Sequence, residues 1–169
     1  MKRKLLYGFC VVLVLFLGAL WFVRSRYCAY VFESRVMVPT IQTNTTVIVD
    51  KRAYSGATPK RFDIVAFPLP VHTNTICLSR IVGLPNEQIQ LTGASLMLSS
   101  DSGTNTIPMQ KYWGTNQIFE DPQRTLGVIS PIRIPSNAVF VVGDNTTYAL
   151  DSRGWGPLSL NQIIGRVKR

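Results

Sequence analysis

The sequence predicts an all-β, mostly antiparallel domain behind one transmembrane helix, and two observations carry that prediction. Residues 5–23 form a run of nineteen uncharged, mostly apolar positions, whereas the chain after residue 26 changes to short runs rich in β-branched and aromatic residues. A length of 169 residues leaves room for one compact domain plus an anchor, and little else. We therefore expect residues 1–26 to form an anchor and residues 27–169 to form the β domain.

The anchor is predicted from the run Leu5–Val23. As a helix rising ~1.5 Å per residue, this run reaches ~28 Å, which is close to the hydrocarbon thickness of a bilayer. A cleaved secretory signal usually has an apolar core of only ~7–15 residues. The run here is longer and ends in the aromatic and basic segment Trp21–Arg26, so an uncleaved anchor is favoured. The cations Lys2–Lys4 before the run favour a cytoplasmic N-terminus and an exported domain.

The positive charge does not indicate a nucleic-acid-binding protein. The formal net charge is +9, but five of the 18 Lys and Arg residues flank the apolar run. The remaining 13 Lys and Arg residues compare with 9 Asp and Glu residues in the chain. The only dense basic cluster beyond the run is the tail Arg166–Arg169. We attribute the surplus to membrane topology and to attraction by anionic lipid headgroups, and we expect no nucleic-acid partner.

Four short runs predict strands, because each is rich in β-branched or aromatic residues and is bounded by Pro, Gly, Asn or Asp. A further strand is expected at Ile163–Val167, after one helical turn at Ser159–Gln162, and Ser99–Thr106 is expected to be a loop tip. Recurrent proline and glycine make long soluble helices improbable. The four runs are Thr46–Asp50, Asp63–Phe67, Gln88–Leu91 and Ala138–Val142.

The cysteines and the histidine predict no cofactor or metal site. Cys10 lies inside the apolar run, which leaves Cys28 and Cys77, and a single spacing does not establish whether those two form a disulfide. The only histidine, His72, has no cysteine or acidic cluster beside it. Neither a metal site nor a histidine-based triad is therefore expected.

Three short motifs occur in a fixed order along the domain. The first is Met37–Thr40 (Met-Val-Pro-Thr), the second is Arg80–Pro85 (Arg-Ile-Val-Gly-Leu-Pro), and the third begins with Gly143–Asn145 and continues with Asp151–Arg153 and Gly156–Pro157. Together they resemble the conserved boxes of the type I signal peptidases. The resemblance implies that family's β fold, with a variable insertion at about residues 92–134, and members commonly continue through a further strand after the last box.

The resemblance also shows what this chain lacks. Family members have their nucleophilic serine directly before the first box and their lysine base directly before the second, where this chain has Val36 and Ser79. The serine that supports the lysine corresponds to Ala149. A valine offers no nucleophile and a serine hydroxyl is no base near neutral pH, so no intact catalytic pair is expected. Ser34 corresponds to the family serine whose hydroxyl donates a hydrogen bond to the oxyanion.

The remaining matched positions are expected to form a binding or structural frame around Val36, Ser79 and Ala149, which should converge in space. We expect Asp144 and Asn145 to close the turn after Val139–Val142, and Asp151 to pair with Arg153, with Arg80 joining them. The frame comprises Met37, Pro39, Thr40, Arg80, Gly143, Asp144, Asn145, Asp151, Ser152 and Arg153.

The function implied is that of a membrane-anchored signal peptidase I homologue in protein export, with its β domain on the outer face of the cell membrane. Because the residues of the catalytic pair are substituted, we expect a catalytically silent protein that binds extended segments of exported proteins or signal peptides. Two alternatives stay open. One is an active serine endopeptidase with another nucleophile and base, and the other is a scaffold for pilus assembly or a partner of an active paralogue.

Overall fold

The structure is a computed structural model, and it describes residues 2–70, 72–92, 95–100, 103–108, 129–145 and 148–168. Apart from the N-terminal helix, its regular elements are almost entirely short strands. In chain order they are α1 (Lys2–Arg26), β1 (Tyr27–Phe32), β2 (Thr45–Asp50), β3 (Ile64–Leu69), β4 (His72–Gly83), β5 (Gln88–Thr92), β6 (Ser95–Ser100), β7 (Gly103–Pro108), β8 (Ile129–Arg133), β9 (Ala138–Val142), α2 (Ser152–Trp155), β10 (Leu158–Ser159) and β11 (Gly165–Lys168).

The strands form two antiparallel sheets. The larger has seven strands in the order β1-β2-β11-β3-β4-β9-β10, and the smaller has four in the order β7-β6-β5-β8. Each of the strand pairings that the structure describes is antiparallel. The predicted fold class, an antiparallel β domain behind one N-terminal apolar helix, is confirmed.

The two strands of the larger sheet that flank β4 supply much of the core. Residues Ile64–Phe67 of β3 and all of β9 are buried. A strand covered on both faces has a continuous apolar sequence, which these two have. The strand between them, β4, carries the second box and is therefore held in the interior.

The four strand predictions are confirmed to within two residues at either end, and Ala138–Val142 matches β9 at both. The expected helical turn is a 3-10 turn at Leu160–Gln162, and the strand after it runs over Gly165–Lys168. The expectation of a loop at Ser99–Thr106 was too wide. Strands β6 and β7 extend into it and pair Ser99 with Thr104, while residues 101 and 102 lie outside the described part of the chain.

The N-terminal helix runs directly into the β domain. Its segment Tyr7–Arg26 is long and apolar enough to cross a membrane, and β1 begins at Tyr27. The orientation across the membrane and the division of the chain at residues 26 and 27 stay predictions, as does the status of residues 92–134 as an insertion. Within the β domain, the thiols of Cys28 and Cys77 are both free, so the structure contains no disulfide between them.

Candidate functional site

The first box lies in a turn that follows β1. Residues 33–40 follow β1 without continuing it, and Ile41 N donates to Met37 O at 2.9 Å. Val36 and Met37 are buried, whereas Ser34 is exposed. The Ser34 hydroxyl accepts a hydrogen bond from Val36 N at 3.3 Å, a local serine turn that directs it to its own backbone.

The three framed positions of this box divide between interior and surface. Pro39 is exposed and Thr40 is half-buried, while Met37 is fully buried in the core. The box is therefore anchored through Met37, and its proline and threonine lie at the rim.

Gly143 joins the first box to the third. A Cβ built on Gly143 would lie 2.5 Å from Ala149 Cβ, 2.7 Å from Val36 Cγ2 and 2.9 Å from Val36 O. The backbone next to it is also tied to the first box, because Asn145 N donates to Val36 O at 2.8 Å. Only glycine fits such a close approach of backbone and side chains.

Ser79 lies in β4, opposite the same glycine. The β4–β9 register pairs Arg80 with Val142, and extending it by one residue places Gly143 opposite Ser79. The nucleophile and supporting positions, Val36 and Ala149, thus both lie against Gly143, and the extended register brings the base position, Ser79, next to them, which agrees with their expected convergence. Ser79 is fully buried, and its Oγ makes no regular hydrogen bond to the described residues.

The nearest reactive group on this strand is the Cys77 thiol, two residues before Ser79 on the same face. Burial raises the pKa of Cys77 to about 11, against weaker lowering by the Leu78 backbone and by a weak sulfur contact with Ser79. Since the thiolate is the nucleophilic form, Cys77 is inert near neutral pH.

Arg80 and Asp144 form a buried ion pair, and this corrects the role expected for Asp144. Arg80 donates through Nε to Oδ1 at 2.8 Å and through Nη2 to Oδ2 at 2.6 Å, and both side chains are nearly inaccessible. Its Nη1 donates to Phe62 O at 3.1 Å. Asp144 therefore binds the guanidinium of the second box instead of closing the turn after β9.

The turn is closed by Asp151. Its Oδ2 accepts from Gly143 N at 2.9 Å, and its Oδ1 accepts from Arg153 Nε at 2.7 Å. The next residue, Ser152, accepts a hydrogen bond from Val141 N at 3.0 Å. The Asp151–Arg153 pair is thus present as the resemblance implied, but Arg80 is paired with Asp144 instead.

A groove that the sequence did not indicate lies between the ends of β1 and β4. It has a volume of about 540 Å³ and is lined by Tyr30–Ser34 and Asn74–Ile76 together with Leu78. β1 is an edge strand, and β9 pairs with β4 only from Arg80 onward, so β4 has an unpaired edge before that residue among the described pairings. Strand β1 was not among the strands predicted from the sequence.

Comparisons with known proteins agree with this geometry. The profile of the family described as signal peptidase, peptidase S26, matches residues 4–169. The chain is 32% identical to a signal peptidase I of Leptolyngbya laminosa, over 91% of this chain and 71% of that one. It is 30% identical to signal peptidase I V of Bacillus subtilis, over 82% of each chain.

A solved structure gives the same result. The crystal structure of a signal peptidase I from Enterococcus faecalis superposes with a TM-score of 0.52 at 25% identity, covering 66% of this chain and 97% of that one. Together with the profile match over nearly the whole chain, this establishes the family. The chain belongs to the signal peptidase family, peptidase S26, which acts in protein export.

Proposed function

We propose that this chain is a catalytically silent signal peptidase homologue that binds extended segments of exported proteins and assists their processing or assembly. The single observation that carries the proposal is the side-chain chemistry around Gly143. Val36 and Ala149 contact it and Ser79 lies opposite it in register, where the family has a serine nucleophile, a supporting serine and a lysine base. None of the three side chains present can activate a nucleophile.

Other groups in the described part of the chain do not supply the missing pair. Ser34 is exposed and bonded to its own backbone turn, and burial keeps Cys77 protonated. Lys51 Nζ donates to Arg24 O at the end of the anchor, and Lys168 Nζ donates to Tyr27 OH. These two amines are therefore hydrogen-bonded close to the anchor. Either of them would have to break that hydrogen bond before it could act as a base for Ser34.

Binding does not need the catalytic pair. An extended peptide can add to an exposed strand edge through main-chain hydrogen bonds, with side chains entering pockets on alternate positions. The groove offers this on two sides, since among the described strands β1 lies at the sheet edge and the first half of β4 has no partner on one side. Its lining includes the exposed Val31 and the half-buried Ile76, which suit small apolar side chains.

Catalytic silence is tested by cleavage of a secretory precursor in detergent. We expect no product from the wild type, none from Val36→Ser or Ser79→Lys alone, and slow cleavage from the double variant, because catalytic pairs act as a unit. Adding Ala149→Ser to the double variant should raise the rate by supporting the lysine. Wild-type cleavage that survives Ser34→Ala and Ser79→Ala would refute the proposal and favour an active peptidase with another nucleophile.

Binding is tested with a fluorescein-labelled synthetic peptide that spans the small-x-small region of a secretory precursor. Val31→Asp places a charge in the groove and should weaken binding about tenfold, which corresponds to ~1.4 kcal/mol. The matched control is Ile48→Asp, an equally drastic change at an exposed residue of neighbouring β2 that does not line the groove. Equal losses in both variants, or no binding by the wild type, would refute the groove as the binding site.

A further inference from the structure

Cations from three separate segments meet where α1 joins the β domain. We call this set the basic collar: Arg24 and Arg26 at the end of α1, Lys51 and Arg52 after β2, and Lys168 at the end of β11. In the sequence these residues are dispersed, and they form a cluster only because β1, β2 and β11 are neighbours in the sheet. The collar lies next to the last turn of the apolar helix, because Lys51 contacts the backbone oxygens of Arg24 and Arg26.

The contacts within the collar fix its geometry. Lys51 N donates to Arg26 O at 2.8 Å, and Lys51 Nζ donates to Arg24 O at 3.4 Å. Tyr27, the first residue of β1, lies between two cations: the Arg26 guanidinium is 5.4 Å and the Lys168 ammonium 4.8 Å from its ring centroid. Lys168 also donates to the Tyr27 hydroxyl at 3.1 Å.

The charge of the collar is largely uncompensated. The carboxylate that the described structure places in contact with it is Asp50, which is buried and accepts bonds from Arg26 Nε and Nη2. Those bonds hold the pKa of Asp50 below its usual range, so it stays ionised. Lys51, Arg52 and Lys168 are exposed and outnumber it. The collar therefore presents a surplus of exposed positive charge to its surroundings.

The position of the collar specifies its partner. The apolar segment ends at Arg26, so when α1 spans a bilayer the collar lies at the level of the lipid headgroups, whichever leaflet carries the domain. A tyrosine ring flanked by cations suits that layer, because the ring is amphipathic and the cations attract phosphate. We propose that the basic collar binds the phosphate groups of anionic phospholipids and so fixes the β domain on the membrane surface.

The test uses the full chain in detergent, with native mass spectrometry of lipid adducts at low salt. Phosphatidylglycerol should bind more tightly than zwitterionic phosphatidylcholine of the same acyl chains. The double variant Lys51→Gln/Lys168→Gln should bind phosphatidylglycerol about tenfold more weakly, since each removed cation weakens attraction to anionic headgroups. The matched control, Lys60→Gln/Arg133→Gln, removes the same charge at exposed positions outside the collar and should leave binding within about twofold of wild type.

Circular dichroism of both variants establishes that each retains its fold, so that a loss of lipid is not a loss of structure. Equal affinity for the two lipids, or equal losses in the two double variants, would overturn the proposal, because only total charge would then matter. A third arm adds inorganic phosphate at the lipid concentration. Displacement of phosphatidylglycerol by phosphate alone would show a free-anion site and would also overturn the proposal.

Discussion

The buried hydroxyl of Ser79 gives a prediction whose sign is unusual, because removing the hydroxyl should stabilise the protein. Ser79 is fully buried and its Oγ makes no regular hydrogen bond to the described residues. Leaving a hydroxyl buried and unsatisfied costs ~1–3 kcal/mol. Ser79→Ala removes that cost and leaves a void of roughly 10–20 Å³, which at ~24 cal/mol per Å³ costs less than about 0.5 kcal/mol. We expect a net gain of about 0.5–2.5 kcal/mol.

The chain offers a matched control for this change. Ser152 is equally buried, but its Oγ accepts a hydrogen bond from Val141 N at 3.0 Å. Ser152→Ala makes the same chemical change, leaves a backbone N–H without a partner and should cost ~1–3 kcal/mol. The two variants should therefore move stability in opposite directions.

The assay is urea unfolding of the full chain in detergent, followed by the circular dichroism of the β domain. With a denaturant slope of ~1–3 kcal/mol per molar, a change of 1 kcal/mol moves the midpoint by roughly 0.3–1 M. A lower midpoint for Ser79→Ala, comparable with that of Ser152→Ala, would refute the reasoning. It would mean that the hydroxyl has a buried partner, such as a water molecule, and that this position is a maintained polar site.

Three further predictions concern the same region. Gly143→Ala should destabilise the domain by ~1–3 kcal/mol in the same unfolding assay, because the new methyl group meets a backbone oxygen and the Ala149 methyl group; an unchanged midpoint would contradict the packing. Asp144→Ala should cost ~3–5 kcal/mol by leaving Arg80 buried without its partner, so a loss below 1 kcal/mol would show that water reaches the guanidinium. Because burial raises the pKa of Cys77 to about 11, peptide mapping should find it unmodified by a thiol reagent at pH 8 in the native state and labelled after denaturation; rapid native labelling would contradict its burial.

The strands could be predicted from the sequence where local chemistry decided them. Ala138–Val142 is a continuous β-branched and aromatic run, and it became a strand buried on both faces. Ser99–Thr106 failed because small polar residues are typical of turns, yet pairing with a neighbouring strand overrode that tendency. Strand β4 was not predicted at all, since its first half lacks alternating apolar positions and is held by pairing with β3.

The site could be located from spacing, but its internal contacts could not. The boxes placed Val36, Ser79 and Ala149 in one region, and the contacts and register around Gly143 support that placement. The prediction chose Asp144 as the carboxylate that closes the turn after β9, whereas the carboxylate that accepts the Gly143 amide is that of Asp151. Asp144 and Asp151 both follow the same strand closely, and only the fold shows which of them lies within reach of a buried guanidinium. Long-range geometry of this kind leaves no trace in local sequence.

The three substitutions at this site are physically consistent with one another. A lysine at position 79 would be fully buried, where an ammonium needs partners to offset its loss of hydration. With Val36 and Ala149 beside Gly143, no hydroxyl from those two positions could serve, and the carboxylate of Asp151 is already engaged by Arg153 and the Gly143 amide. Burying an uncharged serine at position 79 costs less free energy than burying a lysine there. An unsatisfied hydroxyl costs ~1–3 kcal/mol, whereas an unpaired buried charge costs ~3–5 kcal/mol. It follows that Ser79→Lys should be destabilising alone and less so when Val36→Ser supplies a hydroxyl, a coupling that unfolding measurements can detect even where no cleavage is seen.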